Sequence, residues 1–163
     1  MRLFFALWPP RETALALERW AQGLEGRRTP AGRIHLTLAF LGEADGARAS
    51  AAARRVLTGG FLLRLEEAGY WGHNKIVWAG PSPLPAALAQ LAELLQLELY
   101  KEGFILDRRP FAAHVTLVRK APAQPLPALP PLEWPVREFH LVSSSHTLES
   151  TAYRTVERFA LGE

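Results

Sequence analysis

Apolar and polar residues alternate along the segment Arg33–Glu43, RIHLTLAFLGE, with the period of two that is typical of a β-strand. The alternation places His35 and Thr37 side by side on the face opposite the apolar residues, which are Ile34, Leu36, Leu38 and Phe40. The same pattern recurs as HVTLVRK, where His114 and Thr116 take the same relative positions. The pattern therefore predicts two strands, each carrying an imidazole and a hydroxyl on one face.

Helical and strand periods are both present along the rest of the chain. Apolar residues at three- and four-residue spacing predict three helices, at 11–24, 44–57 and 84–99. Further strands are predicted for the opening segment MRLFFAL and for 61–70, 75–80, 112–119, 136–143 and 152–161, with a proline-rich surface loop at 122–135. Because helices and strands are mixed without strict alternation, this order predicts an α+β fold with antiparallel sheets.

The two His-Thr strands lie about half the chain length apart, and each follows a long predicted helix. This arrangement suggests two related halves of a single domain, residues 1–163, with each half contributing one strand to a shared cleft. The two four-residue motifs of the form HxTL, at 35–38 and 114–117, are called tetrads below. Outside them the halves share little sequence, so only the tetrads point to a duplication.

The composition is that of a globular protein, with 48% apolar and 21% charged residues. Cysteine is absent, which excludes disulfides and Cys-ligated metal sites and fits a reducing cytoplasm. The opening apolar run of about six residues ends at Pro9, too short for a signal peptide or a membrane span. A net charge of +3, with arginine as the main cation, permits a phosphorylated or nucleic-acid partner. We therefore expect a cytoplasmic protein without a membrane association.

The paired tetrads suit one kind of chemistry. Two imidazoles across a cleft can be held one neutral and one protonated near neutral pH, as concerted general base and general acid catalysis requires. The hydroxyls of Thr37 and Thr116 could donate hydrogen bonds to the non-bridging oxygens of a tetrahedral anion between the imidazoles. The implied substrate is a phosphodiester whose displacement needs one proton removed and one supplied, such as a cyclic phosphate.

Other reaction centres fit the sequence less well. A metal site needs a third ligand, and the remaining histidines, His73, His140 and His146, form no HxH or HxxxH spacing. No GxSxG motif marks an activated serine, and no P-loop or GxGxxG motif offers a nucleotide phosphate site. We therefore expect neither a metal nor any other cofactor.

The segments that carry this pattern resemble a known family. HLTLAFLGE, RPFAAHVTLVRK, the opening RLFFALWPP, VWAG and the serine pair before Tyr153 are similar to the 2H phosphoesterases. They look most like the bacterial and archaeal RNA 2′,3′-cyclic phosphodiesterases, historically named 2′-5′ RNA ligases. The resemblance covers essentially the whole chain. It implies a two-lobed α+β fold with pseudo-twofold symmetry, antiparallel sheets around a central cleft and helices outside, and metal-independent hydrolysis of an RNA-terminal 2′,3′-cyclic phosphate to a 2′-phosphate.

The resemblance also implies residue roles. His35 is expected to be the proton donor to the departing 3′ oxygen and His114 the proton acceptor that activates water, while Thr37 and Thr116 hold the phosphoryl oxygens. Arg119 matches a basic residue that follows the second tetrad in the family, which implies a phosphate contact. Strict alternation points Arg119 away from the second histidine, so it either acts past the strand end or forms a surface salt bridge.

The chain departs from the family pattern at two places. Ala113 stands where many relatives have proline before the second histidine, and residues 150–152 lack the glycine expected before Tyr153, in the loop on the substrate side.

Several aromatic residues near the predicted strands are expected mainly in the core, with stacking on a terminal base as the alternative. These aromatic residues are Phe4, Phe5, Trp8 and Trp71.

Three alternative functions stay open at this point. The chain could act on another ester, such as an ADP-ribose cyclic phosphate or a 2′-5′ oligonucleotide, or it could catalyse the reverse ligation. It could also be a non-catalytic module that holds RNA ends or nucleotides in the same cleft. In every case the expected partners are RNA ends or nucleotide cyclic phosphates, and we expect a monomer with no obligatory protein partner.

Overall fold

The structure, a computed structural model, describes residues 1–107, 109–148 and 150–162. Its helices are α1 (Arg11–Trp20), α2 (Gly46–Arg54) and α3 (Ala86–Lys101), with a short 3₁₀ turn at Ala31–Arg33. Its strands are β1 (Arg2–Leu7), β2 (Arg27–Arg28), β3 (Leu36–Glu43), β4 (Phe61–Leu65), β5 (Glu67–Trp71), β6 (Ile76–Gly80), β7 (Val115–Arg119), β8 (Leu132–Val136), β9 (Glu138–His146) and β10 (Thr151–Ala160). These strands pair with one another in antiparallel fashion, which confirms the predicted α+β class.

The main sheet consists of two groups of strands that meet at one point. Its order is β10-β9-β1-β3-β7-β6-β5, and β2 adds to β7. Between β3 and β7 the only matched residues in the described chain are Leu36 and Val115, the second residues of the two tetrads. An antiparallel pair has a local twofold axis between its strands, so this contact relates the two tetrads by pseudo-twofold symmetry. Beyond it β3 and β7 are no longer matched residue to residue, and the two groups form the two lobes.

The predicted strand at 61–70 is wrong as a single element. Its first part, β4, pairs with β8 in a separate two-stranded sheet, whereas its second part, β5, pairs with β6 in the main sheet. The predicted loop at 122–135 is also wrong at its end, because Leu132–Val136 form β8. Pro135 is tolerated in β8 because a strand of a two-stranded sheet has one edge that needs no backbone donor.

The helices cover the outside of the sheets and bury their apolar faces. In α3 the buried residues include Leu88, Leu91, Leu95 and Leu99, as the sequence predicts, whereas the first leucine of the predicted stripe, Leu84, precedes the helix and is 40% exposed. Each such leucine contributes about 1.5–3 kcal/mol relative to an exposed one. α2 begins two residues later than predicted, where the Asp45 carboxylate accepts a hydrogen bond from the Ala47 N–H at 2.9 Å. Among the described residues, no helix has both the length and the apolar character needed to cross a bilayer.

The strand β7 contains one extra residue directly after its threonine. Thr116 and Val118 are matched with adjacent residues of β6, so Leu117 has no partner of its own. Leu117 and Val118 are both buried. An extra residue shifts the alternation that follows by one position. Arg119 therefore lies on the same face as Thr116.

The strand β3 contains the corresponding extra residue. Thr37 and Ala39 are matched with adjacent residues of β1, which leaves Leu38 without a partner. The shifted alternation exposes Phe40, which is 56% exposed. Leu38 is the fourth residue of the first tetrad, as Leu117 is of the second, so the same irregularity occurs in both lobes. Phe40 and Arg119 consequently occupy equivalent positions in the two lobes.

The short strand β2 is held against β7 by Gly26. The φ angle of Gly26 is +122°, and a Cβ there would lie 2.6 Å from Val118 Cγ1 and 2.8 Å from the Arg119 carbonyl oxygen. On the far side of β2, the Thr29 N–H donates to the Leu117 carbonyl at 2.9 Å. The absence of a side chain at Gly26 therefore allows β2 to approach β7 closely.

Replacing Gly26 by alanine should lower the free energy of unfolding by about 1–3 kcal/mol, because the added Cβ meets backbone and the φ angle disfavours a side chain. Chemical denaturation measures this change. The control is Gly23→Ala, because a Cβ at Gly23 would meet no atom within 4 Å. That control should change the stability by less than about 0.5 kcal/mol. Equal effects of the two substitutions would contradict the packing role of Gly26.

Candidate active site

A single cleft between the lobes contains every site residue that the sequence predicts. His35, Thr37, His114, Thr116 and Arg119 all line it, and its volume is about 680 Å³. The two histidines immediately precede β3 and β7, and the threonines are the second residues of those strands. The structure therefore brings together two segments that lie about half the chain length apart.

The contact between the lobes sets how the two tetrads face each other. Leu36 is matched with Val115 in an antiparallel register, so the two tetrads run in opposite directions through this contact. Leu36 and Val115 themselves are fully buried and form part of the core. The polar side chains of both tetrads are thus directed to one side of a rigid apolar junction.

Both histidines make the same hydrogen bond to the backbone. Nδ1 of His35 lies 2.8 Å from the carbonyl oxygen of Arg33, and Nδ1 of His114 lies 2.8 Å from that of Ala112. A carbonyl oxygen only accepts hydrogen bonds, so each Nδ1 carries the proton and donates. In a neutral imidazole with this tautomer, Nε2 is the basic nitrogen. The two Nε2 atoms are therefore the ring nitrogens available for proton transfer.

Aromatic rings enclose the two histidines unequally. The ring of His35 lies 5.1 Å from that of Phe4, 5.3 Å from that of Trp8 and 5.2 Å from that of Tyr153, measured between centroids. The ring of His114 has one such neighbour, Trp71, at 4.7 Å.

The aromatic residues predicted for the core therefore divide into two groups. Phe5 is fully buried in the core, as predicted. Phe4 is buried and also contacts the ring of His35, while Trp8 and Trp71 are half-buried beside the two histidines. These three rings serve as walls that exclude water from the imidazoles.

This surrounding lowers the pKa of both imidazoles below the ordinary histidine value. For His35 and His114 the largest cause is desolvation by burial, which disfavours the charged form. The positive charge of Arg119 lowers both pKa values further, whereas the hydrogen bonds to the backbone carbonyls partly oppose the shift. His35 is additionally lowered by His114. Both shifts favour the neutral form of the imidazoles.

The sequence-based placement of Arg119 requires a correction. Strict alternation along the strand points its side chain away from His114, but the extra residue Leu117 returns it to the face of Thr116. Arg119 lines the cleft, and its charge acts on both histidines. It is not a surface salt bridge, because no carboxylate of the described residues lies within ion-pair distance of it.

The geometry supports proton transfer to and from a phosphoryl group. Two Nε2 atoms, two hydroxyls and one guanidinium line one space, so a tetrahedral anion there has proton carriers and hydrogen-bond donors around it. Among the described residues no group of three His, Cys, Asp or Glu side chains could hold a metal ion. The side chains that line the cleft suit acid–base catalysis with electrostatic stabilisation of an anion.

Sequence reasoning missed several residues that line the cleft. Among them are Arg27, Arg28 and Arg33, and also His146 and Thr151, which are paired with each other at the end of β9 and the start of β10. Nothing local in the sequence shows that the predicted loop around Arg27 becomes a strand on β7. The repeated arginines of this segment, GRRTPAGR, were the available signal.

Comparison with known proteins identifies one family over most of the chain. The model of the 2′-5′ RNA ligase superfamily matches residues 9–147. A protein named RNA 2′,3′-cyclic phosphodiesterase from Escherichia coli K12 is 36% identical, over 98% of this chain and 96% of its own length. A protein of the same name from Thermus thermophilus is 34% identical, over 99% and 90% respectively. The crystal structure of E. coli LigT complexed with 3′-AMP aligns with a TM-score of 0.88 at 35% identity, covering 99% of this chain and 98% of that chain.

Replacing Tyr153 by alanine should admit water to His35 and raise the pKa of that imidazole toward its ordinary value of about 6.5, while His114 keeps its lowered pKa. NMR titration of the ring protons in both proteins measures these values. Tyr100→Ala is the control, because Tyr100 is exposed on α3 and does not line the cleft. An unchanged pKa of His35 in Tyr153→Ala would show that this ring does not cause its desolvation.

Proposed function

The chain belongs to the 2′-5′ RNA ligase superfamily, and from this we propose that it is a metal-independent RNA 2′,3′-cyclic phosphodiesterase. The 2H resemblance of its sequence is thereby confirmed. We propose further that the substrate is an RNA end, that the product carries a 2′-phosphate, and that the enzyme acts as a monomer in the cytoplasm. The observation that carries the proposal is the pair of imidazoles with basic Nε2 atoms that line one cleft together with the threonines of both tetrads.

In the proposed reaction His114 is the general base. Its neutral Nε2 accepts a proton from a water molecule as the water oxygen forms a bond to phosphorus. Among the described residues His114 has one aromatic neighbour against three for His35, so it is the histidine with the better access to water. The Nδ1 hydrogen bond to the Ala112 carbonyl supports this role, because it stabilises the imidazolium that forms.

His35 is the general acid in the same step. The bond between phosphorus and the 3′ oxygen breaks, and the protonated Nε2 of His35 donates its proton to that oxygen. The product has a 2′-phosphate and a free 3′-hydroxyl, and the proton on His114 must return to His35 before the next turnover. The aromatic rings around His35 keep competing water away from the departing oxygen.

The remaining cleft residues stabilise negative charge. The hydroxyls of Thr37 and Thr116 donate to the two non-bridging oxygens, and Arg119 offsets the charge that develops as water attacks. A bound phosphodiester anion also raises the pKa of the neighbouring imidazoles, so it favours the singly protonated pair that the reaction needs. The substrate thus counters the desolvation that favours the neutral form of both histidines in the empty cleft.

His35→Ala and His114→Ala should each reduce kcat by about 10²–10⁴, the contribution of one positioned acid or base. The assay uses adenosine 2′,3′-cyclic phosphate and an oligoribonucleotide that ends in one, in EDTA, with chromatography that resolves 2′-phosphates from 3′-phosphates. His73→Ala is the control, because His73 is exposed and does not line the cleft. More than about a tenth of the wild-type rate in either variant would exclude the role assigned to that histidine.

The same assay separates the alternative functions. Turnover of only a 2′-5′ linkage or of another cyclic ester would replace the proposed substrate. Binding of the oligoribonucleotide without any product would favour a non-catalytic module instead.

The pH profile of kcat/KM should be bell-shaped with its centre below about 6.5, because kcat/KM reports the free enzyme, in which both histidine pKa values are lowered. The acid limb reflects protonation of the base, and the alkaline limb reflects loss of the proton from the acid. The profile of kcat should lie at higher pH, because the bound phosphate raises both pKa values. Initial rates between pH 4.5 and 9 measure both profiles, and a flat kcat/KM would argue against the histidine pair.

A further inference from the structure

The cleft carries positive charge that the described protein residues do not neutralise. Four arginines line it, namely Arg27, Arg28, Arg33 and Arg119, and no carboxylate stands among its described lining residues. None of the four has an ion-pair partner within the described chain. Some arginines outside the cleft, such as Arg54 and Arg64, are paired with Glu157 and Glu133, while others, such as Arg11 and Arg158, have no ion pair in the described chain, so what marks the cleft is that four such side chains line one space. Such a concentration of unpaired guanidinium groups is typical of a site for anions.

The strongest part of this charge is a cross-strand pair of arginines. The register of β2 on β7 places Arg27 directly opposite Arg119. Residues opposite each other in an antiparallel pair project from the same face, and like charges at such positions are destabilising. Gly26 and the Thr29 N–H nevertheless fix this register. An anion between or beside the two guanidinium groups would remove the repulsion.

Arg119 and Arg27 are placed to contact different phosphates. Arg119 follows Thr116 by three residues along β7, and the extra residue Leu117 shortens the rise between them. Its side chain lines the same cleft as the two histidines. Arg27 lies beside Arg119 on β2, at the end of β7 away from His114. It is therefore placed for an anion adjacent to the reacting phosphate.

The position of β2 also indicates a path for a longer substrate. β6 occupies one edge of β7, so β2 occupies the edge from which β3 has separated. The residues Arg28, Thr29 and Pro30 border both the cleft and a neighbouring depression. That depression also contains Arg19, Gln22 and Glu18, whose carboxylate accepts a hydrogen bond from the Ala31 N–H at 2.7 Å. An RNA chain that extends from the histidines past β2 would therefore enter this depression, where it would meet further charged and polar side chains.

We propose that Arg27, flanked by Arg28, binds the internucleotide phosphate that precedes the terminal nucleotide, so that the enzyme prefers RNA ends to mononucleotide cyclic phosphates. The inference rests on the proposed function and names its substrate class more closely. Arginine suits this task because its planar guanidinium binds phosphate through two parallel hydrogen bonds.

The test compares three substrates on the wild-type enzyme. They are adenosine 2′,3′-cyclic phosphate, the adenylate dinucleotide ending in the same cyclic phosphate, and that dinucleotide with an uncharged methylphosphonate at its internal linkage. The dinucleotide should have a kcat/KM at least about tenfold above the mononucleotide, as expected for a charge-assisted contact. The methylphosphonate should lose most of this advantage.

The variant Arg27→Gln identifies the side chain responsible. It should lower the ratio of kcat/KM between the dinucleotide and the mononucleotide by about tenfold, and the methylphosphonate should cause little further loss in it. The slope of log kcat/KM for the dinucleotide against log salt should fall by about one. Arg64→Gln is the matched control, since Arg64 is an exposed arginine on β4 that does not line the cleft.

The outcomes separate this inference from the proposed function. Equal kcat/KM for mononucleotide and dinucleotide, or an advantage that survives the methylphosphonate, would overturn the phosphate subsite while leaving the phosphodiesterase activity intact. An equal loss on both substrates in Arg27→Gln would also overturn it.

Absence of all turnover would refute the proposed function alone. Calorimetry would then test the subsite by comparing two dinucleotides that end in a 2′-phosphate, one with a phosphodiester and one with a methylphosphonate at the internal linkage. A lower affinity for the methylphosphonate in the wild type, but not in Arg27→Gln, supports it, and equal affinities overturn it.

Discussion

The structure depends on one short antiparallel contact between its lobes, the pairing of Leu36 with Val115. Both side chains are fully buried, so the junction is fixed by packing as well as by the backbone. Because each of these residues stands between a histidine and a threonine, the contact sets the spacing and direction of four polar side chains at once. The β3 and β7 strands then separate, and the space between them is the cleft.

The fourth residue of each tetrad has a structural role of its own. Leu38 and Leu117 are the extra residues that shift the strand register, and both are buried. The shift directs the residue two positions further, Phe40 in one lobe and Arg119 in the other, to the face of the threonines. A symmetric backbone thus presents an exposed ring on one side and a guanidinium on the other. The two histidines have the same hydrogen bond to the backbone yet different aromatic surroundings, so the two halves of a symmetric motif are chemically different.

The charges that line the cleft favour the binding of an anion. Desolvation and Arg119 favour the neutral form of both imidazoles when no anion is present, and arginines around them have no carboxylate partner in the described chain. This arrangement costs stability in the free protein, as active sites often do. A bound phosphate would reverse both effects, since it attracts the guanidinium groups and favours a protonated imidazole. Binding and activation are therefore consequences of the same charge distribution.

Local patterns in the sequence determined the apolar faces of the strands, the stripe of α3, the α+β class and the four polar residues of the tetrads, because spacing along one segment is enough to define a face. Tertiary structure decided the rest. The face of Arg119 depends on a register shift against β6, the division of residues 61–70 depends on two different partner strands, and the position of Arg27 beside Arg119 depends on β2 joining β7. A period of two shows that a segment forms a strand but not which distant segment it pairs with, and that choice is made by the packing of the whole chain.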